Sequence, residues 1–392
     1  MKLFKENENN EKLGIYALIA CFYFISMPLS IVPLPGGISL LKVLSIFSGS
    51  ALVLAFFLLE GKNEIQFNSM HLFLVLYVIY SIGSLFILYD PISWANLRGI
   101  IETTVLLFFI SIKAYNQREK NALLNSWLIA SVITIIAMAA SSVELGSSDR
   151  FTIDIGGGVE DPNQLCGYFL LPLLICMEKS IGKTKYKIIY ISLIIIMIYI
   201  AFTTGSRGGL AAIFATIIAY GFIAVKGVAN KLKLLASLTI VFVVFSVVLF
   251  PLLPESVTER MSIESIVSDR GSGRLDLWTI TFDAITQNNT SLMLGNGLGS
   301  TIQFLHQAGS RSSVAHNHWL QIWCDQGFIG MLLFFIVLFT GMLRSMSNNR
   351  NITVALFGMF VLSLSLTLYA TYKPFWNLLM MSAMNYKGRG VE

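Results

Sequence analysis

The chain has 392 residues, of which 55% are hydrophobic and 12% are charged. A soluble globular domain carries roughly 25% charged residues, so the composition excludes an ordinary soluble fold. The apolar residues fall in repeated runs of about 20, which is the length of a membrane-spanning helix. The net charge of +5 follows from lysines placed on one membrane face, and it gives no support to nucleic-acid binding. We therefore predict an all-α, polytopic helical membrane protein.

Hydropathy predicts twelve transmembrane helices in one integrated membrane domain. Their approximate ranges are 14–33, 37–59, 70–89, 96–114, 121–141, 162–178, 186–203, 207–225, 233–253, 317–343, 352–370 and 372–386. Residues 1–253 would hold nine spans with short loops, and residues 317–392 would hold three. Between them, residues 254–316 form the one connection large enough to fold by itself.

The basic residues predict the orientation. If both termini lie on one side, that side carries 18 of the 27 lysines and arginines. The positive-inside rule then places both termini in the cytoplasm and the 254–316 loop outside it. The outer side carries 7 arginines and only 2 lysines. Topology alone does not favour arginine, whereas a guanidinium binds phosphate bidentately, so we expect an anionic ligand on the outer side. Pairing with a carboxylate is the alternative for single residues such as Arg98, which lies one helical turn before Glu102.

Two arginines lie beside predicted helix starts. The segment Thr203–Leu210, TTGSRGGL, closes one predicted span and opens the next, and its glycines permit a tight turn. Arg207 would lie where free helix N–H groups also favour an anion. The alternative is a plain turn whose arginine extends to the interface.

The second arginine lies in the large loop. Four apolar residues there recur at spacings of three, four and three: Leu275, Trp278, Phe282 and Ile285. This spacing predicts an amphipathic helix with Trp278 at the membrane interface. Arg274 falls in its first turn, Arg270 precedes it, and Arg311 is another outer arginine. A purely structural loop helix is the alternative.

The start of the sixth span carries polar residues. Pro162 suits the first helical position and Asp161 suits the cap before it, while Asn163 could hydrogen-bond a sugar. Glu160 and Asp161 lack a third metal ligand. The glycine-rich segment 294–300 follows no strand, so a dinucleotide site is excluded and a flexible turn is expected.

His316 and His318 lie where the large loop enters the tenth span. Histidine exchanges a proton near neutral pH, which suits a general base. Residues two apart cannot point the same way on a helix, so we expect one catalytic histidine and one that packs or hydrogen-bonds. This spacing is poor for zinc, and we predict no metal and no cofactor.

The pattern His316-Asn317, nine residues, Gly327, two residues, Gly330 resembles the signature of the bacterial O-antigen ligases and the related O-antigen and capsule polymerases. Three further motifs resemble that superfamily in the same order: Asp161-Pro162-Asn163, Ser206-Arg207-Gly208, and Gly273-Arg274 with Trp278 four residues on. In one respect the chain departs from the pattern. Many ligases have arginine, three residues, leucine in the large loop, but here Arg274 follows Arg270 at that offset and Trp278 follows Arg274. Which loop arginine fills the role stays open.

This resemblance implies a metal-independent glycosyltransferase, similar to the integral-membrane class C enzymes. It would use an undecaprenyl diphosphate-linked glycan at the outer face of the bacterial inner membrane. On this interpretation His316, Arg207 and Arg274 are catalytic, and transfer inverts the anomeric centre. The expected substrate-binding residues are Asn317, Asn163, Asp161, Arg270, Arg98, Arg311 and Trp319.

Three functions remain open at this stage. A polymerase, which we favour on the Asp161-Pro162-Asn163 motif and the modest outer loops, would transfer glycan to another lipid-linked glycan and could work with a chain-length regulator protein. A ligase would transfer glycan to lipid A-core. A lipid-linked oligosaccharide flippase is the alternative of another class. The chain shows no convincing internal repeat of the kind expected of transporters, and its motifs cluster on one face.

Overall fold

The computed structural model describes residues 12–36, 38–59, 65–144, 151–155, 158–182, 184–223, 225–253, 255–260, 273–368 and 372–386. The helices before the large loop are α1 (Ile15–Ile25), α2 (Leu40–Leu54), α3 (Ser69–Gly83), α4 (Pro91–Ser111), α5 (Gln117–Ser141), α6 (Pro162–Ile181), α7 (Lys187–Thr203), α8 (Arg207–Ile223) and α9 (Val228–Val244). Those that follow are α10 (Glu255–Arg260), α11 (Arg274–Thr286), α12 (Asn289–Leu294), α13 (Ser300–Gln307), α14 (His318–Asn348), α15 (Arg350–Ser363) and α16 (Lys373–Ala383). Each of the twelve predicted segments overlaps one of these helices, and several helices begin or end a few residues outside the predicted bounds.

Only some of these helices are long enough to cross a membrane by themselves. By length and composition, six spans among the described residues qualify: Leu40–Leu58, Ser69–Phe86, Gln117–Ser141, Pro162–Ile181, Val228–Leu252 and His318–Asn348. Helices α1, α7, α8 and α15 are apolar but shorter. The all-α membrane fold class is thus confirmed, while twelve crossings remain a prediction.

Side-chain caps define several helix starts. Asn68 and Asn116 each form a capping box, and the Asn116 Oδ1 accepts from the Glu119 backbone N–H at 2.8 Å. Such caps satisfy backbone donors that have no partner within the helix. The polar residues at these sequence positions therefore fix where the apolar helices begin.

Within the described residues, three small sheets that were not predicted from the sequence connect the helices. Strands β1 (Pro33–Leu34) and β2 (Ile38–Ser39) pair antiparallel, and β3 (Ala114–Tyr115) pairs parallel with β7 (Asn385–Tyr386). Strands β4 (Ser142–Glu144), β5 (Phe151–Ile155) and β6 (Gly158–Val159) form an antiparallel sheet before α6. The β5 strand holds the chain ahead of that helix, because the Glu160 N–H donates to the Ile153 carbonyl at 3.0 Å.

The centre of the bundle is formed by α6, α14, α15 and α16. Phe334 of α14 is almost fully buried and meets the rings of Tyr77, Phe375 and Trp376 at centroid distances of 5.2–6.0 Å. Helices α8 and α15 approach closely at Gly358, where a Cβ would lie 2.0 Å from the Thr216 hydroxyl oxygen. This packing places the first residues of α6, α8, α14 and α16 close to the end of α15.

The large loop docks on the first half of α14. Gly295 and Gly327 are in backbone contact, since a Cβ on Gly295 would lie 2.4 Å from the Gly327 nitrogen. The Asn296 N–H donates to the Cys324 carbonyl at 2.9 Å, and Asp325 accepts from the Thr301 N–H at 2.9 Å. The expected flexible turn at residues 294–300 is therefore wrong: Gly295 and Gly297–Ser300 are buried, with hydrogen bonds to the helix.

The predicted loop helix is present as α11, but its buried face differs from the prediction. Ile285 is buried together with Ala284 and Cys324. Leu275 and Phe282 are 51% and 48% exposed. Of the predicted apolar residues, Ile285 thus packs into the protein, whereas Leu275 and Phe282 lie on an exposed face.

Candidate active site

The turn that carries Arg207 is held by a chain of hydrogen bonds from α6. Gly205 has φ 57°, which lets α7 end and α8 begin within three residues. The Ser206 hydroxyl donates to the Asn163 Oδ1 at 2.9 Å and accepts from the Gly209 N–H at 3.0 Å. Ser206 and Asn163 are buried, so this contact fixes the start of α8 against the start of α6.

Asp161 is the cap of α6, as predicted. Its Oδ1 accepts from the Asn163 backbone N–H at 2.7 Å and from the Asn163 amide Nδ2 at 2.8 Å. Pro162 occupies the first helical turn. Both Asp161 and Asn163 are thus partners in the scaffold around Arg207, and their predicted contact with a substrate stays a prediction.

Arg274 lies next to the Arg207 turn. Its Nη1 is 3.9 Å from the position that a Gly208 Cβ would occupy, and the Ser365 hydroxyl is 1.9 Å from the same position. A side chain at residue 208 would therefore clash with Ser365 and lie in ordinary contact with the Arg274 guanidinium. Arg274 begins α11, and Gly273 before it has φ 74°. Two arginines separated by 67 positions in the sequence are thus brought to one place.

His316 lies at the junction between this loop and α14. It has φ 50° and is the one non-glycine residue with positive φ in the described part of the chain. Such a conformation costs roughly 1–3 kcal/mol and persists only where the surroundings impose it, often at functional sites. The Trp278 indole N–H donates to the Ala315 carbonyl at 2.9 Å, and the Ala315 N–H donates to the Gln321 Oε1 at 3.3 Å. Because Trp278 lies one turn after Arg274, α11 ties the histidine junction to the arginines.

Asn317, the next residue of the motif, caps α14. Its Oδ1 accepts from the Trp319 and Leu320 N–H groups at 3.1 and 3.2 Å. This role explains an asparagine immediately before the helix. The predicted contact of Asn317 with a sugar stays a prediction.

His318 and Trp319 pack into the bundle. The His318 Nδ1 accepts from the Leu368 N–H at 3.3 Å, and its ring meets Phe334 edge-on at 5.0 Å. The Trp319 indole N–H donates to the Ser363 hydroxyl at 2.7 Å. His318 is therefore the packing histidine of the predicted pair, which leaves His316 as the candidate base. The predicted sugar contact of Trp319 would have to use its ring, because the indole N–H already has a partner.

Close packing requires glycine at both glycine positions of the motif. Gly327 breaks α14 with φ 68° and ψ −178°, and a Cβ there would lie 2.3 Å from the Met293 carbonyl oxygen. A Cβ on Gly330 would lie 2.9 Å from the Tyr80 ring. The Tyr80 hydroxyl also donates to the Gln326 carbonyl at 2.8 Å. The glycines thus let the large loop and α3 dock at the kink below His316.

The remaining predicted arginines lie elsewhere. Arg98 is exposed and its Nε lies 3.3 Å from the Glu102 carboxylate, which is the pairing considered as the alternative. Arg311 is exposed in the connection between α13 and α14. Arg270 lies outside the described residues. The structure therefore places Arg274 next to the Arg207 turn, links α11 to the His316 junction through Trp278, and leaves Arg98 in an ion pair.

A cleft of about 880 Å³ lies on the other side of the α6 start. Helices α2 and α4 form its walls, and its polar end is lined by Glu160, Asp161, Gln164, Tyr168, Tyr372 and Lys373. Burial raises the pKa of Glu160 from 4.5 to about 8, and the neighbouring Asp161 carboxylate raises it further in the same direction. Glu160 is therefore mainly a neutral carboxylic acid at pH 7. Sequence patterns did not predict this cleft, because its residues come from distant segments.

The described residues contain no group of three or more His, Cys, Asp or Glu side chains placed to hold a metal ion. Independence of the reaction from metals remains a prediction.

In a comparison with known protein families, part of the chain matches a family model. Residues 192–335, which run from α7 into α14, match the model of a family described as O-antigen ligase. The match covers the Arg207 turn, the large loop and the whole His316–Gly330 motif. It confirms the resemblance to the O-antigen ligase and polymerase superfamily. No curated protein matches the chain.

Proposed function

We propose that the protein is a glycosyltransferase that transfers a glycan from undecaprenyl diphosphate on the outer face of the bacterial inner membrane. Two contacts carry this proposal: Arg274 lies beside the Arg207 turn, and Trp278 of the same helix is hydrogen-bonded to Ala315 next to His316. The match to the O-antigen ligase family supports the same class of reaction.

The reaction needs one bond to form and one to break. The acceptor hydroxyl oxygen attacks the anomeric carbon, and the bond from that carbon to the diphosphate oxygen breaks, with inversion. The leaving diphosphate takes the bonding electrons, so negative charge grows at its oxygen. In this proposal Arg207 and Arg274 stabilise that charge, because cationic donors held beside the leaving diphosphate interact most strongly with it as its charge develops. His316 takes the proton from the attacking hydroxyl.

The packing around these residues suits this role. Arg207 follows a serine fixed by Asn163, and Arg274 begins a helix fixed to Ala315 through Trp278. Preorganised groups need not rearrange as the charge develops. They therefore stabilise the transition state more than mobile groups would. Positive φ at His316 sets the direction in which its side chain leaves the backbone.

As the specific activity, we propose a polymerase that extends a lipid-linked glycan. The ligase activity, with lipid A-core as acceptor, is the second candidate, and the description of the matching family favours it. Surface glycans from cells that lack the protein discriminate between them. Loss of a polymerase leaves core carrying one repeat unit, whereas loss of a ligase leaves long chains on the lipid carrier.

The test of the mechanism uses purified protein and lipid-linked glycan in detergent. His316→Ala should lower the transfer rate by about 100-fold or more, within the range of a lost general base. Arg207→Lys keeps the charge but loses the planar fork, and we expect a comparable loss. His318→Phe is the matched control and should retain transfer. Near-normal transfer by His316→Ala would refute the assignment of the base.

The orientation has its own test. Reporter fusions at residues 288 and 309, in the described part of the large loop, should report an extracytoplasmic location. A cytosolic location would remove the arginines from the membrane face at which the glycan is presented, and the proposed function would fail.

A further inference from the structure

A second cleft, of about 930 Å³, lies at the other end of the bundle from the Arg207 turn. Helix α6 starts beside that turn and ends at Ile181, which lines the cleft. Its 20 residues rise about 30 Å, which is about the thickness of the hydrocarbon core of a bilayer. The positive-inside rule assigns this face to the cytoplasm. We call this space the basic cleft, because four cationic side chains line it: Lys120, Lys179, Lys226 and Arg350.

A hydrogen bond between α6 and α15 brings two of these cations to one place. The Asn351 amide Nδ2 donates to the Glu178 Oε2 at 2.6 Å, and Asn351 is buried. Arg350 precedes Asn351 in the chain and Lys179 follows Glu178, so both cations belong to the segments that this bond joins. Glu178 is the one acidic side chain among the described residues that line the basic cleft. The lining therefore carries an excess of positive charge.

Lys120 differs from the other three cations in its contacts. Its ammonium donates to the Asn348 carbonyl at 2.7 Å, so it ties α5 to the end of α14. In the part of the chain that the structure describes, Lys179, Lys226 and Arg350 form no ion pair. Like charges that line one cleft repel one another, and an anion between them replaces that repulsion with attraction. Three cations are thus left to bind a ligand of opposite charge.

Amide and apolar side chains complete the lining of the basic cleft. Asn121 and Asn125 lie one turn apart on α5, and Asn230 belongs to α9. Their NH₂ groups are donors from which phosphate oxygens accept hydrogen bonds. Leu124 and Ile175 also line the cleft, and Ile175 is buried. The positive-inside rule explains basic residues at this face, but it does not explain why they share a cleft with asparagines.

The basic cleft borders an apolar surface of α9. Asn230 lines the cleft, while Val228 and Leu232 on the same helix are 75% and 59% exposed. Exposed apolar side chains on a helix of this kind contact the acyl chains of lipids. Basic pockets between transmembrane helices on the cytoplasmic side bind phosphate head groups. A ligand can therefore reach the cleft from the membrane as well as from water.

We propose that the basic cleft binds an anionic phosphate ester, whose oxygens accept hydrogen bonds from Lys179, Lys226 and Arg350. A guanidinium binds two phosphate oxygens at once, and an ammonium adds a point charge. The volume suits such a ligand, since pockets for small molecules measure about 300–1,000 Å³. Two sources offer this group: a phospholipid of the adjacent leaflet and a soluble phosphate ester. Binding here is independent of the proposed glycosyl transfer, because the two sites lie at opposite ends of the bundle.

Native mass spectrometry of the purified protein in an uncharged detergent tests this site. The lipid probe is dioleoyl phosphatidylglycerol, and the soluble probe is glycerol 3-phosphate, which carries the same phosphoglycerol group without acyl chains. Dioleoyl phosphatidylcholine, a lipid without net charge, is the control ligand, and we expect phosphatidylglycerol to bind more tightly. Displacement of phosphatidylglycerol by excess glycerol 3-phosphate would show that the soluble group suffices, whereas retention of the lipid would identify the membrane as the source.

Two pairs of substitutions locate the binding. Lys179→Gln combined with Arg350→Gln removes two cations from the basic cleft and should weaken phosphatidylglycerol binding by about 10-fold or more, because charge-assisted hydrogen bonds are lost. Lys187→Gln combined with Lys233→Gln is the matched control, since it removes the same charge from exposed positions outside the cleft at the same end of the bundle. That variant should bind nearly as the wild type does, because salt screens exposed charges at a distance. Lys226→Gln, between α8 and α9, gives a second measure if the first pair folds poorly.

Two outcomes would overturn the proposal. One is equal weakening of phosphatidylglycerol binding by the cleft pair and by the control pair, which would reduce the effect to general surface charge. The other is equal binding of phosphatidylglycerol and phosphatidylcholine by the wild type together with no binding of glycerol 3-phosphate, which would make the cleft an ordinary lipid contact.

Discussion

Replacing Gly327 with alanine should detach the large loop from α14. At φ 68° and ψ −178° the backbone lies in a region that is essentially open to glycine alone, and another residue there costs roughly 1–3 kcal/mol. The added Cβ would also lie 2.3 Å from the Met293 carbonyl oxygen and 2.5 Å from the Gly295 nitrogen. Both neighbours are backbone atoms, so the loop has to move away. That movement breaks the hydrogen bond from Asn296 to the Cys324 carbonyl, at a cost of about 0.5–1.5 kcal/mol.

These contributions together amount to about 1.5–4.5 kcal/mol, or roughly a 10- to 1,600-fold change in the local opening equilibrium. Hydrogen exchange of the peptide that contains the Asn296 amide measures this equilibrium directly. Gly309→Ala is the matched control, because Gly309 has φ 80° in the same loop but no atom within 4 Å of its Cβ position. That variant bears only the conformational cost of about 1–2 kcal/mol. Equal protection of the Asn296 amide in the two variants would refute the close contact between Gly295 and Gly327.

Further predictions concern single contacts of the site. Asn163→Ala removes the acceptor that holds the turn before Arg207, and we expect transfer to fall by about 10-fold, the equivalent of one hydrogen bond, with normal membrane insertion. His318→Phe should lower the thermal midpoint in detergent, because a backbone N–H loses its acceptor, while transfer continues. Trp278→Phe replaces the indole with a smaller aromatic ring and removes its N–H donor to the Ala315 carbonyl, so transfer should fall by about 3- to 10-fold with little change in the thermal midpoint. For Glu160, the folded pKa of about 8 lies above the ordinary 4.5, so the wild type should lose stability relative to Glu160→Gln as pH rises from 4.5 to 8 and change little above that, which thermal midpoints from pH 4 to 9 would check.

The helix starts could be predicted from sequence because their determinants are local. Asp161 and Pro162 are adjacent in the chain, and the cap needs only the N–H of Asn163. The tight turn at Gly205 and the first turn of α11 at Arg274 follow from local composition for the same reason. For this reason the prediction that Arg207 and Arg274 lie at helix starts was correct.

The roles of the motif glycines could not be predicted, because they depend on contacts between distant segments. Gly327 contacts Met293, 34 positions earlier in the chain, and that contact exists only once the loop has folded back on α14. The same holds for α11, where the apolar spacing correctly predicted a helix. Which of its residues are buried depends on where α14 packs. Cys324 of α14 contacts the face that carries Ile285, so Leu275 and Phe282 stay exposed. The cleft needs residues from α2, α4, α6 and α16, so no single stretch of sequence could reveal it.

The irregular backbone at this end of the bundle is tolerated because its polar groups have partners within the protein. Exposed backbone N–H and C=O groups are costly at membrane depth, and non-helical segments occur there only where they are buried in protein or line a cavity. The Ser206 turn, the His316 junction and the Gly327 kink meet this condition through Asn163, Trp278 and the 294–296 segment. Each of these partners also fixes a residue of the candidate site or the helix below it. The hydrogen bonds that stabilise the irregular backbone are therefore the ones that hold the segments carrying Arg207, Arg274 and His316 in place. For this reason we expect substitutions of the partners to lower the transfer rate before they unfold the bundle.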